Sequence, residues 1–581
     1  MEKLRWDLES IYFNDDLARD EIKNIEKLLE EVKSLKEEPK KNLVKLLQKD
    51  VEISRLLYKL AAYSHMKKDE DSNVSNFQKL DKEVSNLNSK ISTVFAFLTP
   101  LLLSLDKQEI EELKNKEELK AYDVYLNKIF RYKAHTLSDK EELIMSSLSS
   151  TLRTSANLYY FLTNTDMKFP YLEKFDKQLT NINFVNTQMD ENRELRKESF
   201  KKFYDTYNQY GNTIAQSYYS HIDGLGKISK LRKYNSIREM FLYRDDVSTQ
   251  VYDALVESIH TNLPYLHKYY EIKKRALGLD EQHMYDVYMP MTSKFEKKYT
   301  FEEAKELVIE SVKPMGEEYV NNYKKAFEEN WIDVEPRPGK RNGAYSSGSY
   351  DTKPFILLNF DGTLSSVFTL AHEMGHSLHS YYDRSTNDFL HSGYTIFVAE
   401  VASTFNEALL LDLLMKKAES EEELLYLTDF YVNNYKSTVF RQTMFAEFER
   451  DVHYKIENGE VLTKDDFSNI YFELNKKYFG DSMVSDEEIA YEWMRIPHFY
   501  SNFYVYKYAI GFTASSILVR RVLEGVENAR ENYIKFLKDG DNHFPIEQLK
   551  IAGVDMSNPE TVNKSLETFR ELVDKLDKLI K

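Results

Sequence analysis

Apolar residues recur at spacings of three and four along most of this chain, the period of a helix with one face turned inward. The pattern predicts long amphipathic helices over Ala18–Leu35, Val51–Lys67, Phe77–Leu98, Lys140–Leu158, Glu191–Ser220, Ser248–Leu277, Thr300–Asn330, Glu421–Glu457 and Pro559–Leu579. One stretch breaks the period. Pro354 to Phe360 is almost continuously apolar and short, and reads as the clearest strand in a largely helical chain. No internal repeat or low-complexity tract is present, and no Gly/Pro-rich linker cuts the chain. The turn-rich stretch Phe175–Glu191 marks a soft boundary between an N-terminal helical domain (1–185) and the remainder (186–581). Composition agrees with the periodicity: only 17 Gly and 12 Pro among 581 residues leave few helix breakers, so the expected class is mostly α with a small β-sheet edge.

Within this pattern the run Ser365 to Tyr382 carries Ala371-His372-Glu373-Met374-Gly375-His376. Residues four apart share a helix face, so His372 and His376 can direct two imidazoles at one zinc ion, at about 2.0–2.1 Å each. Glu373, one position on, reaches a water beside the ion and serves as general base. Serines suited to capping precede the motif, and Leu370, Met374 and Leu378 continue the apolar stripe. Gly375 costs the helix roughly 1 kcal/mol relative to Ala, which implies that another element approaches closely there.

A catalytic zinc takes three protein ligands and leaves a fourth position open. His379 lies on the same face, but three ligands at successive turns of one straight helix are nearly collinear, so it is expected to pack or to support the ligands. The run Phe397 to Glu407, followed by Ala408-Leu409-Leu410-Leu411, is an apolar helix with acids inside its pattern. A carboxylate in such surroundings is costly unless paired or metal-bound. Glu400 is therefore the expected third ligand, and Glu407, two turns on, is placed to orient one of the histidines.

Two further segments carry candidate chemistry. His498, Tyr500, Tyr504 and Tyr506 crowd a short stretch, and neutral phenol or imidazole donors suit the oxyanion of a tetrahedral intermediate. Tyrosine is common throughout (42 residues), so the competing reading is plain aromatic packing. The Gly343–Tyr350 stretch, with Tyr345, reads either as a loop closing on substrate or as an ordinary surface loop. The strand just after it is a candidate edge for pairing with an extended peptide.

At these residues the chain resembles the thimet-oligopeptidase-like zinc peptidases, and within them the oligoendopeptidase F branch. The resemblance covers most of the chain: Trp6-Asp7-Leu8, Tyr285 to Pro290, Gly339 to Ser346, Pro354 to Asn359, the motif helix, Phe397 to Glu407, and Arg495 to Tyr508. It implies one Zn2+ per chain held by His372, His376 and Glu400, with Glu373 catalytic. It also implies His498 and Tyr506 at the transition state, substrate contacts from Tyr500, Tyr504 and Tyr345, and helical walls enclosing a deep channel that admits short oligopeptides. The expected activity is endopeptidase cleavage of internal bonds. The alternatives are a zinc exopeptidase and a non-catalytic helical binding protein.

The remaining features narrow the setting. A net charge of −17 disfavours nucleic acid as a partner. Val94–Leu105, the longest apolar stretch, is interrupted by Pro100 and too short to span a bilayer, so no membrane role is expected. The first residues lack an apolar core of the signal-peptide kind. Zero cysteine leaves only imidazole and carboxylate for a metal and is compatible with a cytoplasmic location. The oligomeric state is not legible, and a monomer is compatible with all of this.

Overall fold

The structure, a computed structural model, describes residues 4–292 and 297–580. Helices dominate, with two small sheets among the described residues, in agreement with the expected mostly-α class. The chain divides into two compact units, each assembled from three segments. The first comprises Met1–Ala134, Glu296–Leu413 and Leu518–Val554; the second comprises His135–Phe295, Leu414–Ile517 and Asp555–Lys581.

In the first unit, helices Asp15–Leu35, Leu43–Glu70 and Ser75–Phe95 pack together through stripes such as Ile25, Leu29 and Val32 on one and Leu80, Val84, Leu87 and Ile91 on another. The Asn14 side chain caps the first of these by accepting the Leu17 N–H at 3.0 Å. The span Ser75–Ser104 is long and apolar enough to cross a membrane by length and composition alone. Its Leu87, Ile91, Phe95, Leu98 and Leu102 are buried in the same core as the other two helices, as the one-sided stripe of an amphipathic helix requires.

The unit also holds a three-stranded sheet in the order Ile332–Asp333, Phe355–Leu357, Tyr345–Ser347, the first pair parallel and the second antiparallel. The run Pro354–Phe360 thus supplies the central strand rather than an edge. Its uninterrupted apolar character is the reason: Phe355 and Leu357 join the N-terminal helical core, while Ile356 is equally buried on the opposite face. The edge is Tyr345–Ser347, a segment expected to be a loop. The far edge is covered by the chain itself, since Asp7 N–H donates to Asn330 O at 2.9 Å and Val334 N–H donates to Leu4 O at 3.0 Å. Between strands, the buried Asp333 carboxylate accepts from Lys340 at 2.8 Å and from Arg337 at 2.7 Å, which fixes the return of the chain to Tyr345.

The second unit is built from paired helices, including Thr249–Ala276 against Pro559–Leu579, and Arg441–Glu457 against Lys464–Phe479. Several expected helices prove to be broken. Glu191–Ser220 is divided at Tyr210, Lys140–Leu158 at Arg153, and Glu421–Glu457 carries a π-helical turn at Lys436–Phe440. In the first unit, Thr300–Asn330 is interrupted around Lys313–Met315, where Pro314 and the positive φ of Gly316 (90°) stop the helix. Periodicity survives such breaks because the following helix buries the same face.

Replacing Lys340 by Met should destabilise the protein by about 1.5–3 kcal/mol, the worth of a hydrogen bond to a buried charge, because Arg337 alone then holds Asp333. Chemical denaturation checks this: the midpoint falls, and an unchanged midpoint would deny the ion cluster its structural role.

Candidate active site

The motif helix, Leu364–Thr386, begins at Thr363, whose hydroxyl accepts the Ser366 N–H at 3.2 Å. Val367, Leu370, Ala371, Met374 and Leu378 are fully buried and turn one face into the first unit. A second helix, Ile396–Lys417, crosses it at Gly375. A Cβ built on Gly375 would stand 2.5 Å from the Ala402 carbonyl oxygen and 2.7 Å from the Ser403 Cα. The missing side chain is what lets the two backbones touch, and the contact brings Glu400 and Glu407 level with the histidines.

The Nε2 atoms of His372 and His376 lie 3.2 Å apart. Glu400 Oε2 is 3.6 Å from the first and 3.9 Å from the second. Donors about 2.0–2.1 Å from one tetrahedral ion stand about 3.4 Å from each other, so these three fit a single small cation. Each donor is steered from behind. His372 Nδ1 hydrogen-bonds Glu407, the His376 ring bonds the Ala399 carbonyl, and Ser403 Oγ donates to Glu400 Oε2 at 3.0 Å. Glu373 is buried beside them. The Ser346 backbone N–H lies against its carboxylate, and its Oε2 has no protein partner.

Around the second unit's 3₁₀ turn Pro497–Ser501 the candidate donors separate into two groups. His498 is exposed, with its ring nearly parallel to Tyr504 at 6.5 Å and edge-on to Tyr508 at 6.3 Å. Tyr500 turns the other way, donating to Ser217 Oγ at 3.1 Å and stacking on Tyr159 at 4.7 Å. Tyr506 is fully buried with its ring 5.1 Å from Tyr252. Between the groups, Asn502 and Phe503 take positive φ values of 24° and 51° without being glycine. The buried Glu449 carboxyl holds that turn by accepting the Phe503 N–H at 2.7 Å.

Comparison with known proteins decides what these residues belong to. The profile of peptidase family M3 matches residues 187–568, and the Oligopeptidase F profile matches residues 102–169. Oligopeptidase PepF of Bacillus subtilis is 40% identical over 99% of this chain and 87% of its own length. An oligoendopeptidase F homolog of Lactococcus lactis is 37% identical over the whole chain and 98% of its own. The crystal structure of oligoendopeptidase-F from Enterococcus faecium, 32% identical, superposes with a TM-score of 0.74 over 97% of this chain and 99% of that one. A peptidase structure from Chlamydophila abortus, 33% identical, reaches 0.94 over 99% and 98%.

The chain belongs to peptidase family M3.

As an M3 member it is a metalloendopeptidase, and its site residues can be weighed one by one. His372, His376 and Glu400 converge as one donor set, and they form the only three-residue group able to hold a metal among the described residues. His379 does not join it: the ring is buried and stacks flat on Tyr394 at 3.7 Å. Tyr345, expected at substrate, has its hydroxyl donating to Asp69 at 3.0 Å with Arg341 over its ring. Tyr500 and Tyr506 likewise sit in packed surroundings, through the contacts above. Sequence reasoning did not single out Ser346, Ser403 or Glu449; only Glu449 carried a signal, an acid among Phe445, Ala446 and Phe448.

The electrostatics of this M3 site follow from burial against charge. Burial opposes protonation of His372 in the metal-free chain, but the Glu407 bond and the surrounding carboxylates outweigh it and push the imidazole up to about 9. Burial and the neighbouring His372 charge take His376 down to about 3. Burial pushes Glu373 up to about 7, with His372 opposing. Since Glu407 accepts from Nδ1, His372 can shed its other proton and offer the Nε2 lone pair inward.

Removing Glu407 as Ala should weaken metal binding about 10–100-fold, read from metal content against a competing chelator. Gly375→Ala should cost about 1–3 kcal/mol by forcing the helices apart, together with lost metal. A variant of normal stability and full metal would show that the crossing does not depend on the missing side chain.

Proposed function

We propose that this M3 peptidase is a zinc-dependent endopeptidase acting on internal bonds of short oligopeptides. The observation that carries the reading is one juxtaposition: a three-donor cluster, a buried carboxylate with a bare oxygen, and an open sheet edge whose Ser346 N–H lies against that carboxylate. Bound zinc would supply Lewis acidity and lower the pKa of water at the site.

The chain's own residues do the rest. His372, His376 and Glu400 hold the ion, with Glu407 fixing the tautomer of His372. The strand Tyr345–Ser347 binds the extended substrate through backbone hydrogen bonds, the mode open to an unpaired edge. Pairing of this kind requires an extended, unfolded segment of substrate. Glu373 takes a proton from the attacking water with its bare oxygen, then returns it to the departing amine. His498, with Tyr504 or Tyr508 beside it, is the set of neutral donors assigned to the developing oxyanion; each such donor is worth about 2.7–4 kcal/mol in comparable sites. Glu449 acts on that set only by holding the turn before Tyr504.

Glu373→Gln should retain zinc and lose about two to four orders of magnitude in kcat, the contribution expected of a general base. The assay uses oligopeptides blocked at both ends, which an exopeptidase cannot attack. Substantial turnover by the variant would remove Glu373 from the proton transfer, and no cleavage by the zinc-loaded wild type would reject an endopeptidase.

A further inference from the structure

The open edge strand has two faces, and they look at different surroundings. Ser346 Oγ hydrogen-bonds Ser377 Oγ of the motif helix at 2.8 Å. Tyr345 and Ser347, alternating with it, face the other way, toward helix Leu43–Glu70, where the Tyr345 hydroxyl meets Asp69. At the Ser347 end of that face lies a groove of about 550 Å³, within the range of about 300–1,000 Å³ usual for ligand sites. Helices Leu43–Glu70 and Ser75–Phe95 form its walls.

The groove exists because small residues replace large ones at matching heights. Ala61 and Ala62 interrupt a helix otherwise rich in leucine and tyrosine, and Ser85 stands opposite on the second helix. Leu57 and Val84, both buried, make an apolar floor. The charges at the rim are already answered: Lys68 pairs with Asp81 at 2.6 Å and Arg341 with Asp69 at 3.0 Å, while His65 sits between the two carboxylates. A charged guest would therefore meet charges that are already paired, and an uncharged bulky one would meet the apolar surface of Leu57, Ala61, Ala62 and Val84.

We propose that this groove is a side-chain subsite for a large apolar or aromatic residue of the substrate peptide, about two residues from the cleaved bond. The proposal rests on the reading of Tyr345–Ser347 as the strand that pairs with substrate. In a paired peptide, successive side chains alternate between the motif-helix face and the groove face at about 3.3 Å per residue. The Ser346 N–H marks the level of Glu373, so the next groove-facing side chain beyond it projects over Ser347 and Gly348, which line the groove. One position of the peptide is then selected and its neighbours are not.

The test is competitive cleavage by the zinc-loaded full chain of end-blocked peptides that carry Gly, Leu, Phe, Asp or Lys at each position near the cut. The wild type should favour Phe or Leu over Gly by tenfold or more in kcat/KM at a single position about two residues from the cleaved bond. Ala61→Phe fills the groove from its floor and should bring that ratio close to one, mostly through KM. Ser85→Trp, from an exposed site on the rim, should do the same if the first variant folds poorly; melting temperature and zinc content are read alongside. Retention of the wild-type preference by folded Ser85→Trp would overturn the subsite, as would a wild-type preference for Asp or Lys there, or none at any position. Failure of the wild type to cut any blocked peptide would instead overturn the endopeptidase reading, and the subsite with it.

Discussion

Two helices of the first unit cross with their backbones in contact, and the rest of the site depends on that distance. Helix Ile396–Lys417 presents Glu400 and Glu407 seven residues apart, hence two turns apart on one face. Those acids reach His372 and His376 only because nothing stands between Gly375 and the Ala402–Ser403 backbone. Carboxylate side chains are short, and an extra ångström of separation would leave Glu400 outside the reach of a common ion. The glycine weakens its own helix by roughly 1 kcal/mol, a small loss set against the placement of Glu400 among the donors and of Glu407 behind His372.

The same crossing gathers charge where water is scarce. Three carboxylates (Glu373, Glu400 and Glu407) and two imidazoles occupy one partly enclosed space, with Ser403, Ser346 and the Ala399 carbonyl as neutral partners. Such a set lowers fold stability when its charges are not balanced. Its members are held by packing from outside: the apolar stripe of the motif helix on one side, the central strand Phe355–Leu357 on the other. The sheet serves the site in a second way, since one edge is closed by residues 4–7 and, among the described residues, no strand pairs with the other, beside Glu373.

Much of this was legible without coordinates, for identifiable reasons. Helix-period patterns located most long helices, and Pro559–Leu579 agrees at both ends. The cluster His372, His376 and Glu400 was legible because spacing on one helix and a carboxylate in an apolar run are both local signals. Gly375 foretold a close approach for the same reason. The tyrosines are not separable in sequence: phenols suit both packing and catalysis, and only tertiary contacts such as Tyr500 with Ser217 or Tyr506 with Tyr252 distinguish their surroundings. Tyr345–Ser347 carries no strand signal in sequence, because a three-residue strand has too few positions to show alternation. Ser346 escaped notice because its contribution is a backbone N–H, which no side-chain pattern encodes.

The turn at Asn502 and Phe503 depends on a residue far from it in the chain. Two non-glycine residues at positive φ are strained, at roughly 1–3 kcal/mol each, and do not persist unless Glu449, 54 positions earlier in the chain, is already in place to catch the Phe503 N–H. The donors on His372, His376 and Glu400, by contrast, come from a single short span of sequence. The donor cluster therefore answers to changes in two neighbouring helices, whereas the turn before Tyr504 answers also to changes around Glu449, far back in the chain.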